Sequence, residues 1–427
     1  MSMAQHLFRS RKAPAPRPAP VTGLILSGGG ARAAYQVGVL KAVADLLPAG
    51  ADCPFQVIVG TSAGAINAVS LACGAVNYQQ ATRQLEQVWQ NFLTSKVYRT
   101  DWPGVLGQAT RFFRAHMLGI GRQNVPLALL DNEPLRELLE QELDFNGISL
   151  AIARRKLRAV AVTAFAYQNA ESTTFFQSRG TILPWQRYRR AGLPTRLTID
   201  HLLASAAIPL LFPPVRLGQG FYGDGAVRQT APVSPALHLG ANRILVVGVN
   251  SRLQQKEALS MQLRAPSLAQ ISGHLLNSTF TDNLDSDLEL LQRLNQLGGL
   301  ILPEYHHLQE GLSPVEVMVV QPSQIIDDIA VRHRHQLPAS IRTFLRGPGA
   351  TRSTGGGVLS YLLFERDYCA ELIELGYQDA IARKSELLAF LQAGQPAAEG
   401  RDTDANGEGE IARSAAGQTG VQDNRLA

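Results

Sequence analysis

The run Phe55-Gln56-Val57-Ile58-Val59 ends at Gly60-Thr61-Ser62-Ala63-Gly64, which passes without a linker into the small-residue stretch Ala65-Ile66-Asn67-Ala68-Val69. A short apolar run and a following stretch of this kind read as a strand and a helix, joined by a hinge too short for an ordinary loop. Such a hinge belongs to a sheet flanked by helices, which narrows the fold class to α/β. Within it, Gly60 and Gly64 flank a serine in the pattern G-x-S-x-G, where small neighbours permit a turn sharp enough to hold the Ser62 hydroxyl exposed. The pattern alone is weak, and its seat between strand and helix carries the weight. A serine N-cap on the helix is the plainer use of the same position.

The flanking sequence agrees with that class. An apolar run at 23–26 ends in Ser27-Gly28-Gly29-Gly30, a helix is predicted over about 33–47 and a strand over 55–59, giving one βαβ unit before the hinge. Residues 80–145 read as a mostly helical insertion broken at Pro103 and Pro126, and strands are predicted again at 157–165, 172–177 and 243–249. Beyond about 255 the pattern is mainly helical, with a strand at 315–320 and one long helix over about 359–391. The organisation expected is a flexible Pro-rich basic arm (1–20), a core domain (21–255), a mainly helical region (256–392) and a disordered tail (393–427) poor in large apolar residues.

A serine nucleophile needs donors for the oxyanion it creates and a base for its proton. Gly28-Gly29-Gly30-Ala31-Arg32 is a turn whose bare backbone N–H groups could approach a reacting carbonyl, with Arg32 either steadying the loop or facing an anionic head group. Gly28-x-Gly30-x-x-Ala33 also fits a dinucleotide fingerprint, but the acidic residue that motif needs after the second strand is missing: Gly60-Thr61-Ser62 stands there, with Asp45 and Asp52 both earlier. The candidate base is Asp224, in Phe221-Tyr222-Gly223-Asp224-Gly225-Ala226, although a Gly-Asp-Gly turn by itself is more often structural. An aspartate of ordinary pKa is a weak base, so burial has to raise it. Among the histidines, His201, His238 and His274 are the candidates for a third member, none in a motif that recommends it, and His306-His307 and His333-x-His335 read as solvated loops rather than metal ligands.

Composition bounds the setting. Three cysteines, Cys53, Cys73 and Cys369, form no disulfide framework and favour a reducing, intracellular compartment. The first twenty residues lack the apolar stretch of a signal peptide, and no uncharged run reaches the roughly 20 residues that span a bilayer, so the expected membrane contact is peripheral. A net charge of +5 suits anionic surfaces without selecting one. Two stretches mix aromatic and basic residues as an interfacial segment would: 102–122, with Trp102, Val105, Leu106, Phe112, Phe113 and Met117 beside Arg99, Arg111, Arg114 and Arg122, and Pro184-Trp185-Gln186-Arg187-Tyr188-Arg189-Arg190. Packing of those rings on the protein's own core is the competing reading.

Together, Gly28-Gly29-Gly30-Ala31-Arg32, Gly60-Thr61-Ser62-Ala63-Gly64 and Asp224-Gly225-Ala226, with the block Ala204-Ser205-Ala206-Ala207-Ile208-Pro209-Leu210-Leu211-Phe212-Pro213-Pro214, resemble the patatin-like phospholipase family over about residues 22–250. The resemblance implies a three-layer α/β/α sandwich around a mostly parallel sheet. It also implies a lipid acyl hydrolase of phospholipase A or lysophospholipase type, with Ser62 as nucleophile, Asp224 as its partner in a dyad without histidine, and Gly28, Gly29, Gly30 and Arg32 forming or supporting the oxyanion hole. No cofactor, metal or nucleic acid is expected, and the substrate is a phospholipid or other lipid ester. Ala226 departs from the common D-G-G form. The rivals are a Ser-Asp-His esterase of soluble esters and a non-catalytic membrane-binding protein. In the first, the elbow follows several strands, whereas here 34 residues separate Gly28 from Ser62.

Overall fold

Strands buried on both faces make the centre of the molecule, as their uninterrupted apolar sequences require. The structure, a computed structural model, describes residues 20–118, 128–180, 182–251, 268–278, 283–300, 314–346 and 356–392. Strand β1 (Thr22–Leu26), a 3-10 turn (Gly30–Ala33) and helix α1 (Ala34–Leu46) lead to β2 (Val57–Thr61) and α2 (Ala63–Cys73). Helices α3 (Tyr78–Gln90), α4 (Thr94–Val97), α5 (Trp102–Leu118), α6 (Glu133–Glu142) and α7 (Asn146–Ala153) follow. Next come β3 (Ala159–Ala166), β4 (Glu171–Ser178), β5 (Trp185–Arg187), β6 (Arg190–Pro194), α8 (Ile199–Ser205), β7 (Val215–Leu217), β8 (Gly220–Asp224), α9 (Ser234–His238) and β9 (Arg243–Val247). The remaining elements are α10 (Leu268–Asn277), α11 (Asn283–Gly299), β10 (Glu316–Val320), α12 (Ile326–His333), α13 (Ala339–Arg346), α14 (Gly356–Leu362), α15 (Arg366–Ala382) and α16 (Lys384–Gln392).

The sheet order is β10-β9-β1-β2-β3-β4-β6-β5, with the β7–β8 hairpin joined to β3. The five strands from β10 to β3 run parallel, and β4 turns back on β3. Alternate side chains go to opposite faces: Leu24, Leu26 and Ile58 enter the core shared with α1, α2 and α15, while Ile25, Val57 and Val59 join Leu284, Leu288 and Leu291 of α11 and Ala236 of α9. This is the expected α/β/α sandwich.

Helix α15 lies on α1 at backbone contact. A Cβ on Gly38 would overlap the carbonyl oxygen of Ile373, and one on Gly376 would overlap that of Tyr35. Glycine at the crossing point of both helices is what allows the approach.

Two expectations need correction. The helix over 359–391 is three helices, with Glu365 extended (φ −126, ψ 148) and Arg383 (φ −109, ψ 25) outside helical geometry. At the first break Leu363 and Phe364 are buried, and the carbonyls of Leu362 and Phe364 accept from Tyr98 Oη (2.9 Å) and Thr94 Oγ1 (3.3 Å). The freed backbone groups are therefore satisfied by side chains. Strands β5 to β8 are not expected from the sequence, because they are three to five residues long and rich in Gly, Pro and Arg, so that no alternating pattern announces them.

Candidate active site

Strand register brings Ser62 and Asp224 together. The β2–β3 ladder ends at Thr61↔Thr163, but β3 continues to Ala166, and β8 takes the edge that β2 vacates, pairing Asp224 with Ala164. The residue just past β2 and the last residue of β8 thus meet at one point. Ser62 Oγ donates to Asp224 Oδ2 at 2.6 Å, and the Ala226 N–H donates to Oδ1 at 3.0 Å.

The hinge is a strained elbow. Ser62 has φ 56 and ψ −130, a region that a residue bearing a Cβ pays roughly 1–3 kcal/mol to occupy. Both flanking glycines are required by contact: a Cβ on Gly60 would overlap the Gly64 carbonyl, and one on Gly64 would overlap the carbonyls of Leu26 and Ser27. The elbow is also pinned from the side. The Ser62 N–H donates to Ser205 Oγ (2.8 Å), Ser205 Oγ donates to the Thr163 carbonyl (2.6 Å), and the Asp224 N–H donates to the Ala207 carbonyl (2.8 Å). The block that contains Ser205 and Ala207 therefore grips both partners. Nothing in the sequence of that block singles out Ser205.

Ser62 and Asp224 are enclosed, at 1 % and 0 % exposure. Burial pushes the Asp224 carboxyl up to about 7, against the hydrogen bonds from Ser62 and the Ala226 N–H, which lower it. A carboxylate desolvated this far is a competent acceptor for a serine proton near neutral pH. Gly28 lines a narrow cleft with Thr61 and Ala226, so the glycine turn, the elbow and the Asp224 turn converge on one small space. That cleft is about 20 Å³, room for roughly one water.

The model of the family described as patatin-like phospholipase matches residues 24–237. The chain belongs to the patatin-like phospholipase family. Among similar proteins is the cGAMP-activated phospholipase of Pseudomonas aeruginosa, 26% identical over 224 residues that make up 50% of this chain and 55% of that one. The chain thus spans about half the length of this curated relative. Solved structures that overlay on it include human GIVD cytosolic phospholipase A2 (12% identity, 88% of this chain and 60% of that chain, TM-score 0.42) and VipD from Legionella pneumophila (13%, 83% and 67%, TM-score 0.33).

The other candidate residues of this patatin-like protein have separate partners. His201 Nδ1 bonds to Thr198 Oγ1 (2.8 Å) and its ring packs edge-on against Phe175, His238 Nδ1 bonds to Ser234, and His274 sits on α10. Among the described residues no histidine is hydrogen-bonded to Ser62 or Asp224. Asp52 precedes β2 and pairs with Lys156. His333 Nε2 meets Glu371 (2.6 Å), His335 Nδ1 meets the Arg332 carbonyl (3.1 Å), and His306 and His307 lie outside the described residues. Among the described residues no group of three metal-capable side chains forms.

The two aromatic-basic stretches differ. Trp185 is stacked between Phe176 (5.0 Å) and His238 (4.8 Å), so it packs on the protein, leaving Tyr188 at the hairpin tip exposed. On α5, Val105 and Ala109 are buried, whereas Trp102, Leu106 and Phe113 are 46, 57 and 56% exposed. Their helical spacing puts these three on one face. The side chains of Met117 and Arg122, like residues 1–19 and 393–427, are outside the described part. Among the described residues no helix is long and apolar enough to cross a membrane.

Proposed function

We propose that the protein is a lipid acyl hydrolase that cleaves carboxylic esters through a Ser62–Asp224 dyad. The observation that carries this reading is the 2.6 Å hydrogen bond from Ser62 Oγ, on a strained elbow, to a fully buried carboxylate. Family membership and the phospholipase relative support lipid esters as the substrate class.

In the proposed reaction Ser62 Oγ attacks the ester carbonyl as its proton passes to Asp224 Oδ2. The oxyanion is held by backbone N–H groups of the Gly28–Gly30 turn. Collapse expels the alcohol, which takes the proton from Asp224, and leaves an acyl-Ser62 ester. Water then attacks that ester, giving its proton to Asp224, and a second collapse releases the fatty acid and restores the Ser62 hydroxyl.

The test is acyl release from phospholipid vesicles and from a short soluble ester, for wild type, Asp224→Asn and His238→Ala. Loss in the first variant and retention in the second supports the dyad; loss in His238→Ala with activity kept in Asp224→Asn would replace it with a histidine mechanism. Because Asp224 must be ionised to accept a proton, turnover is expected to rise with pH with a midpoint near 7 and then level off.

Stability runs the other way. The folded carboxyl holds its proton more tightly than the unfolded one, so native stability falls as pH rises from about 4 to about 7 and stays at the lower level above, by an amount on the order of 4 kcal/mol. Asp224→Asn lacks this dependence, so its melting temperature relative to wild type is expected to climb between pH 4.5 and 8. A constant difference over that range would contradict the raised pKa.

We assign peripheral membrane contact to the exposed Trp102, Leu106 and Phe113 face of α5, with exposed Arg114 at its border. Leu106→Glu/Phe113→Glu is expected to weaken sedimentation with anionic vesicles by about tenfold while leaving short-ester turnover unchanged; undiminished vesicle binding would rule this face out.

A further inference from the structure

The Gly28–Gly30 turn is held by residues that lie beyond the stretch matched by the family model, which ends at residue 237. Arg32 is 1 % exposed. Its Nε donates to Ser360 Oγ (2.9 Å), one terminal nitrogen donates to Asn250 Oδ1 (2.5 Å), and the other donates to Asp327 Oδ1 (2.6 Å) and the Gly357 carbonyl (3.3 Å). The Tyr361 ring lies 4.0 Å from the guanidinium carbon. Ser360 Oγ in turn donates to Asp327 Oδ1 at 2.7 Å, tying two of the acceptors to each other.

The backbone of the turn meets the same segment. Gly30 has φ +55, and a Cβ there would overlap the carbonyl oxygen of Tyr361. Helix α14 therefore touches the turn twice, at the Gly30 backbone and at the Arg32 side chain. It also lies within the field of the dyad: burial pushes the Tyr361 phenol up to about 12, opposed by Arg32 and reinforced by Asp327 and Asp224.

A buried guanidinium is tolerated only where its charge and its donors are matched. Here Asp327 supplies the charge, and Ser360, Asn250 and Gly357 supply neutral acceptors. An arginine enclosed this way is not presented to a lipid head group; it fixes the backbone that carries it. Three consecutive glycines have wide conformational freedom, and oxyanion donors accelerate a reaction only when they are already in place. The turn needs an external clamp.

The geometry points to Asp327, with Ser360 and the Tyr361 ring, as positioning residues of the acyl-transfer site: they hold Arg32, and Arg32 holds the Gly28–Gly30 turn in a single conformation. This assignment rests on the reading of Ser62 and Asp224 given above. It makes the region after residue 255 part of the site rather than an appendage to it.

The test measures kcat and KM on a short soluble ester, with inhibition by a trifluoromethyl ketone that forms a hemiketal oxyanion on the serine. It compares wild type, Ser62→Ala, Asp327→Asn, Asp327→Ala and the double variant Asp327→Ala/Arg32→Met, each assayed about ten degrees below its own Tm. Asp327→Asn is expected to lower kcat by roughly 10–100-fold with KM within about twofold, and to weaken the ketone by the same factor. The double variant removes the charge together with its partner, so it regains the folding lost in Asp327→Ala without regaining kcat. Wild-type kcat and ketone affinity in Asp327→Asn, with activity lost in Ser62→Ala, would overturn the inference alone. Ester cleavage that survives Ser62→Ala would overturn the dyad and this inference with it.

Discussion

Ser62→Ala is expected to lower acyl release from lipid esters by at least about three orders of magnitude, because it removes the proposed nucleophile while leaving the cleft intact. If the proposed dyad acts as a unit, Ser62→Ala/Asp224→Asn is expected to be no worse than Ser62→Ala alone. A double variant that loses activity additively would show that Asp224 has a role apart from the serine. The same position offers a stability test with an unusual sign. Ordinarily alanine is preferred to glycine by about 0.5–1 kcal/mol. At φ 56 and ψ −130 the Cβ strain of roughly 1–3 kcal/mol outweighs that preference, so Ser62→Gly is expected to be more stable than Ser62→Ala by about 1 kcal/mol in urea denaturation. If alanine is the more stable, the elbow is not strained.

Gly38→Ala and Gly376→Ala are each expected to destabilise the fold by about 3 kcal/mol. Helix propensity argues the opposite, since both glycines are inside helices where alanine would gain about 1 kcal/mol. Contact decides it: the added Cβ would overlap a main-chain carbonyl, that of Ile373 or that of Tyr35, and backbone cannot rotate aside as a long side chain can. Gly107 on α5 serves as the control, because nothing lies within 4 Å of a Cβ built there and Gly107→Ala is expected to be neutral or slightly stabilising. Equal melting temperatures for Gly38→Ala and Gly107→Ala would mean that α1 and α15 do not meet at backbone distance.

Much of the site was legible because its geometry is dictated by small residues at fixed places. Gly60 and Gly64 are needed wherever a strand turns straight into a helix, and both proved to be contact-limited. Asp224 was legible as a turn carboxylate, but the reason it meets Ser62 was not: β3 outruns β2 and lets β8 in, a matter of strand length and register that leaves no local mark. Ser205 was hidden for a different reason. Its role is to link the Ser62 N–H to the Thr163 carbonyl, and a serine among alanines at a helix end has many plainer uses. Asp327, Asn250 and Ser360 carried no signal, since partners of a buried arginine are specified by the fold and not by spacing along the chain. The break after Leu362 was lost because an apolar stretch buried on every side has no period to read.

The crossing of α1 and α15 also sets a timetable. Gly38 and Gly376 are 338 residues apart in the chain, so a ribosome adding roughly 5–20 residues per second finishes α1 about 20–70 s before its partner exists. Within that interval Ser62 is made early and Asp224 only past its midpoint, and Asp327 and the helix that covers α1 come last of all. The growing chain therefore carries the apolar face of α1 uncovered until nearly all of the sequence has been made, and that face needs shelter for as long as its partner is missing.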